Sequence, residues 1–266
     1  MFRLARVPPT LHGTVRRLVA FDEESAVVVR RRQAPTSTCT LVVGLADPLR
    51  VDGVDRTAFV GGLTVASAIT EFAGHQAGVQ ADLTPVGTLR LFGVALEGLV
   101  GLDALGTDLA ELPERLADLP SWSDRLAAVV AVLESRLATT GRGPDPEVAR
   151  AWGRLERSAG RHPVAALADD VGWSRRHLTR RFTAQIGLSP TTAGRVLRFR
   201  RAADLLVPPA GTSVPATAIA DVAAACGFAD HAHLDREFAA LAGCSPTAYR
   251  AAWSTVAVDP TDVVHG

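Results

Sequence analysis

Hydrophobic positions follow two regimes along this chain. Up to about residue 140 they come in short runs of β-branched and aromatic residues bounded by Gly, Pro or Asp, at 26–29, 38–45 and 88–94, the pattern of strands. Val51-Asp52-Gly53-Val54 is a two-residue hairpin signal. From Ser121 to Leu137 the period lengthens to that of a helix, with Trp122, Leu126, Val129, Val130, Leu133 and Leu137 on one face. That stripe suits a dimer seam and suits packing on its own domain equally well. Residues 139–146 form a linker by composition, and Glu147 to Ala159 follows as a support helix.

The last third carries one pattern twice. Ala165 to Asp170 runs into Val171-Gly172-Trp173-Ser174 and then Arg175 to Phe182, and Ile219 to Cys226 runs into Gly227-Phe228-Ala229 and then Asp230 to Phe238. Each copy continues to Gly-x-Ser-Pro, at Gly187–Pro190 and Gly243–Pro246. The small residues make a short, closely packed helix, and the glycine supplies the left-handed residue that ends it. Trp173 or Phe228 plugs the corner, and Ser174 or Asp230 caps the next helix. Leu178 and Phe182, like Leu234 and Phe238, stand four apart and give that helix one buried stripe. Its other face is left free. Such a pair of helices sets a recognition helix in the major groove.

Charge changes the picture locally. The 266 residues are formally neutral, with 28 basic and 28 acidic side chains. Yet from Ser174 to Arg201 eight arginines, Arg175, Arg176, Arg180, Arg181, Arg195, Arg198, Arg200 and Arg201, meet no acidic residue. That is an electrostatic footprint for phosphates. An arginine-rich solvated surface is the plainer explanation, and every cation of this chain is Arg. The coincidence of charge and motif favours nucleic acid.

Over residues 145–253 the chain resembles the AraC/XylS family of transcription regulators. The resemblance rests on the doubled motif, on a linker helix from Pro190 to Leu206, and on Gly227-Phe228-Ala229-Asp230, His233-Leu234-Asp235-Arg236-Glu237-Phe238 and Gly243 through Tyr249-Arg250. It implies a bacterial, cytoplasmic regulator that binds double-stranded DNA. A homodimer is expected, with RNA polymerase and a small-molecule effector as further partners. The implied DNA-binding set is Ser174, Arg175, Arg176, Thr179, Arg180, Arg181 and Arg198, with His231, Ala232, Asp235 and Arg236 in the second unit. Arg176 and Arg180 are the expected base readers, since arginine pairs with guanine O6 and N7. Arg175 and Arg181 are placed nearer the backbone, and His177 is expected to pack between helices. The second helix, with its carboxylates, reads first as a brace for the first helix, with a cytosine contact through Asp235 as the other reading. The Pro-rich joint 207–215 is longer than the family's, which loosens the expected spacing of the two units.

The implied architecture is α+β in two domains. A β-rich domain, cupin-like by analogy of layout, covers 1–140 and carries effector binding or dimerisation. A linker spans 141–146, an all-helical double helix-turn-helix domain 147–254, and a tail 255–266. No apolar run reaches the roughly 18 residues of a membrane span, and the N-terminus lacks a signal-peptide pattern. Three scattered cysteines, Cys39, Cys226 and Cys244, read as reduced thiols, with Cys226 buried. With His12 and His75 as the only histidines of the first half, no metal and no cofactor are expected. His75 reads first as a loop residue and only secondarily as a ligand contact. Hydrolase, nucleotide-binding and zinc-protease motifs are absent from the sequence, so no enzyme is expected. A DNA-repair enzyme with an AraC-like module would need clustered cysteines. An effector-independent regulator with a protein-interaction domain stays open as the alternative.

Overall fold

The computed structural model describes residues 1–139, 143–207, 217–254 and 262–264. Part of the expected linker, nearly all of the Pro-rich joint and most of the tail lie outside the described residues. The first domain contains β1 (Phe2–Ala5), β2 (Val15–Gln33), β3 (Cys39–Gly44), β4 (Leu49–Val51), β5 (Val54–Arg56), β6 (Ala58–Gly61), β7 (Ala68–Leu83) and β8 (Leu99–Gly101). Its helices are α1 (Pro85–Phe92), α2 (Thr107–Ala110), α3 (Leu112–Ala117) and α4 (Trp122–Thr139). The second part is helical: α5 (Pro146–Arg157), α6 (Val164–Asp170), α7 (Arg175–Ile186), α8 (Pro190–Leu206), α9 (Ile219–Ala225), α10 (His231–Ala242) and α11 (Pro246–Ser254). A last strand, β9 (Asp262–Val264), pairs with β2 at Arg31, Arg32 and Gln33.

The sheet is antiparallel, in the order β1-β2-β7-β3-β6-β8, with β4 joining β5 and β7. The Asp52-Gly53 hairpin forms as its signal predicts, with Val51 opposite Val54 and both turn residues at positive φ (47° and 82°). Strict alternation gives the sheet two unlike faces. Leu41 and Val43 of β3, Val60 of β6, and Val79 and Ala81 of β7 point into the main core with Leu112, Leu116, Val129 and Leu133 of α3 and α4. The intervening Thr40, Val42, Phe59, Thr70, Gln80 and Asp82 line a cavity on the opposite face.

Two expectations about the first domain change. The 88–94 run, read as a strand, is the second half of α1. Thr84 caps that helix through its side chain (Gly87 N–H to Thr84 Oγ1, 2.9 Å), Pro85 opens it, and Gly93 closes it at φ 74°. Caps and proline decide here over β-propensity. The 26–29 run is only part of β2, a 19-residue strand whose pairing with β7 breaks in a bulge between Ser25 and Val29. Val27 and Val28 face solvent there. The stripe of α4 has a definite answer: Val129 and Leu133 are buried in the main core, and Trp122, Leu126, Val130 and Leu137 pack against it.

The main core continues into the helical part. Val148, Trp152, Leu167, Leu178, Phe182 and Leu197 belong to the same cluster as the sheet residues. A separate cluster, built on Phe199, Val222, Phe238, Leu241 and Tyr249, holds the second unit. Burying each such side chain contributes about 1.5–3 kcal/mol.

Candidate nucleic-acid interface

Each copy of the repeat folds as two helices around a tight corner. Gly172 (φ 72°) and Gly227 (φ 76°) take the left-handed conformation at that corner. Ser174 caps α7 by accepting the N–H of His177 (3.2 Å), and Asp230 caps α10 by accepting that of His233 (2.6 Å). Trp173 lies edge-on to His177 with ring centres 4.5 Å apart, and Phe228 meets His233 in the same way at 5.3 Å. The repeated histidine is thus a corner-packing residue, as expected. Inside, Leu178 and Phe182 are fully buried, Phe182 beside Trp152 at 6.3 Å. Leu234 and Phe238 are their counterparts, with Phe238 4.8 Å from Phe199. Cys226 is buried, and burial pushes its thiol pKa up.

The outer face of α7 carries Arg175, Arg176 and Arg180 exposed and Thr179 half-buried. Together with Ser174, His177, Val164, Ala165 and Thr191, the first exposed position of α8, they line an open concavity. Thr191 is absent from the sequence-derived set, because no spacing rule links it to α7; the tight turn at Gly187 brings it there. Arg180 leans toward His177, Nη2 to Nδ1 3.4 Å.

Arg181 and Arg198 are placed differently. Arg181 turns away from that face and donates two hydrogen bonds to the Asp145 carboxylate, at 2.7 and 2.8 Å. The Arg181 guanidinium, then Gln185, holds the Asp145 carboxyl below the usual range. Arg198 donates to the carbonyl of Gly160 at 2.8 Å, fastening α8 to the loop between α5 and α6.

The second unit presents another surface. On α10, His231, Ala232 and Arg236 are exposed, and Asp235 lies 3.4 Å from His231. Glu237, the counterpart of Arg181, accepts from Arg195 of α8 at 2.5 Å. The two recognition helices are therefore anchored at one equivalent position by ion pairs of opposite polarity.

Within the sheet, the face opposite the main core encloses a cavity of about 180 Å³. A smaller one of about 90 Å³ adjoins it, sharing Gln33, Val42, Leu49, Thr70 and Gln80. Beside them Arg31 pairs with Glu23 (2.7 Å) and Arg17 with Asp82 (2.8 Å), and Asp47 and Arg56 also line the smaller cavity. His75 lies on β7 rather than in a loop, half-exposed and 3.0 Å from Asp22, and it lines neither cavity.

A sheet domain with an interior cavity is thus joined to two helix-turn-helix units, the first of which carries three exposed arginines on its outer face. The sequence pattern of the family described as "Helix-turn-helix domain" matches residues 167–252. ToxT from Vibrio cholerae shares the architecture over nearly its whole length, with TM-score 0.51 and 10% identity over 89% of this chain and 98% of that one. ToxT from Vibrio cholerae O395 gives TM-score 0.51 at 11% identity, over 90% and 98%. The C-terminal domain of AraT, a response regulator from Geobacillus stearothermophilus, aligns at 24% identity over 43% of this chain and 89% of its own, with TM-score 0.36. No curated protein sequence matches the chain. Residues 167–252 match a helix-turn-helix domain, and the two-domain fold is that of the solved ToxT structures. Among the described residues no helix is long and apolar enough to cross a membrane.

Proposed function

We propose that α7 is the base-reading helix, that α10 mainly braces it, and that the sheet cavity takes a small-molecule effector. One observation carries the first claim: of the four α7 arginines, three stand exposed on one face while Arg181 is spent on Asp145. Arg176 and Arg180 then read bases, Arg175 and Thr191 meet the backbone, and Thr179 adds a methyl or hydroxyl contact. Arg181 and Arg198 act through the fold, by fixing α7 on α5 and α8 on its neighbouring loop. His231, Ala232, Asp235 and Arg236 present no net cationic surface, which supports the bracing role of α10.

The larger cavity supports the effector reading because it is walled by Thr, Gln and apolar side chains, and Asp82 beside them is paired with Arg17. Homodimerisation through the first domain and contact with RNA polymerase complete the proposal. The test is a footprint of purified protein on the DNA flanking its own gene, with a salt titration. A protected site that survives unrelated competitor DNA and loses selectivity in Arg180→Ala is the expected result. Diffuse protection that competitor removes would overturn it. A protected length of two symmetric half-sites would mark the dimer.

A further inference from the structure

The two copies of the repeat put their shared histidine to different uses. In each copy it stands three residues after the helix cap, its ring edge-on to the corner aromatic, Trp173 for His177 and Phe228 for His233. In the second unit, Nδ1 of His233 accepts the backbone N–H of Ala229 at 3.3 Å and so helps to close the corner. The first unit has no residue to match Ala229: Ser174 follows Trp173 directly, whereas Ala229 separates Phe228 from Asp230. Nδ1 of His177 is turned instead to Nη2 of Arg180, 3.4 Å away. A guanidinium and a backbone amide can only donate, so both rings accept at Nδ1 and carry their proton on Nε2.

From this we infer that His177 is a positioning residue for base recognition, holding the guanidinium of Arg180 in place on the outer face of α7. The inference rests on the reading of Arg180 as a base contact. Each link from the core outward is fixed by the one before it. Trp173 packs against the main core. His177, half-buried, lies on Trp173 with ring centres 4.5 Å apart and planes at 85°, and its N–H is held by Ser174. Arg180 is exposed three residues further on, which makes it a neighbour on the same helix face. Both side chains line the concavity beside α7. A free arginine loses rotamer entropy when it binds, and a neighbour that holds it beforehand lowers that cost.

The same contrast bears on the second helix. Arg236 is the counterpart of Arg180, exposed and three residues after its own histidine, but Nδ1 of that histidine is already engaged by Ala229. One residue more in the corner thus takes away the acceptor that would hold Arg236, in keeping with the bracing role of α10.

The test separates the packing of His177 from its acceptor, in the full-length protein. His177→Phe keeps a ring against Trp173 and removes the acceptor. His177→Asn removes the ring and puts an amide oxygen where Nδ1 stood. Binding is measured by competition with single-base variants of the footprinted site, alongside the melting temperature. His177→Phe should melt close to wild type and lose selectivity at the base pair read by Arg180, on the order of two- to tenfold, with other positions unchanged. His177→Asn should melt lower and retain that selectivity. Wild-type selectivity in His177→Phe, where Arg180→Ala loses it, would overturn the positioning role. Unchanged preference in Arg180→Ala would overturn the base-reading assignment instead, and a measurement without DNA then decides the positioning. That measurement is nuclear relaxation of the arginine Nε–H groups. Arg180 should be more ordered than Arg175, Arg176 and Arg236 in wild type, and should fall to their level in His177→Phe. Equal order of the four in wild type would overturn the inference whatever the DNA shows.

Discussion

Arg180 and Arg181 are adjacent, chemically identical and put to different uses. Arg180 is exposed beside His177, whereas Arg181 closes a two-pronged ion pair with Asp145. Arg180→Ala should therefore cost about 1–3 kcal/mol of specific binding and relax preference at one base position, read by competition with single-base variants. Arg181→Ala should leave base preference intact and lower the melting temperature. The Asp145 carboxyl has a folded pKa held below its unfolded value near 3.9. Its stabilisation is then fully present above that value and lost as pH falls through the folded pKa. The melting-temperature gap between wild type and Asp145→Asn should stay level from pH 7 to about 5 and shrink below about 4. Cys39 is likewise decided by its surroundings: burial raises its pKa to about 11, so native alkylation should spare it and reach the half-buried Cys244 first.

At the scale of elements, the caps do most of the specifying. The second half was legible because α7 and α10 each announce themselves with a cap, an i,i+4 apolar pair and a closing glycine, and because the pattern occurs twice. Pro190 to Leu206 is α8 to the residue. In the first half, Thr84-Pro85 and Gly93 were equally good signals, but the Thr88–Val94 alternation hid them. β2 and β7 were harder to read for a physical reason. The charge of Arg17 is tolerated because its partner Asp82 lies across the sheet on β7, 65 residues away, a pairing that no local window contains, whereas Arg31 and Glu23 pair within β2 on either side of its bulge. The same limit applies at the candidate site: Arg181 and Asp145 are 36 residues apart and Arg198 and Gly160 are 38. Ser174→Ala removes the α7 cap and should cost about 0.5–2 kcal/mol in chemical denaturation, whereas Ala229→Ser, one residue before the Asp230 cap, should add little.

For the molecule as a whole, formal neutrality conceals a cationic face. Counterion release makes affinity fall with salt by about 0.9 logarithmic units per neutralised phosphate. Arg175→Ala should thus reduce the slope of log K against log salt by about 1 while leaving base preference unchanged. Arg236→Ala on α10 should change neither, if that helix only braces. A slope change of the same size there would make the second unit a direct DNA contact.

The main core passes without a break from the sheet through Leu133 and Trp152 to Phe182 and Leu197, and the second cluster starts at Phe199 within the same helix. The seam of cooperative unfolding therefore runs through α8 rather than through the linker between the domains. A calorimeter should record a large transition for the sheet together with the first unit and a smaller one for the second. Swapping domains at residues 140–146 to graft a new sensor onto this DNA-binding part would cut through a shared hydrophobic interior. A workable chimaera has to carry α1 of the first domain, against which α7 packs.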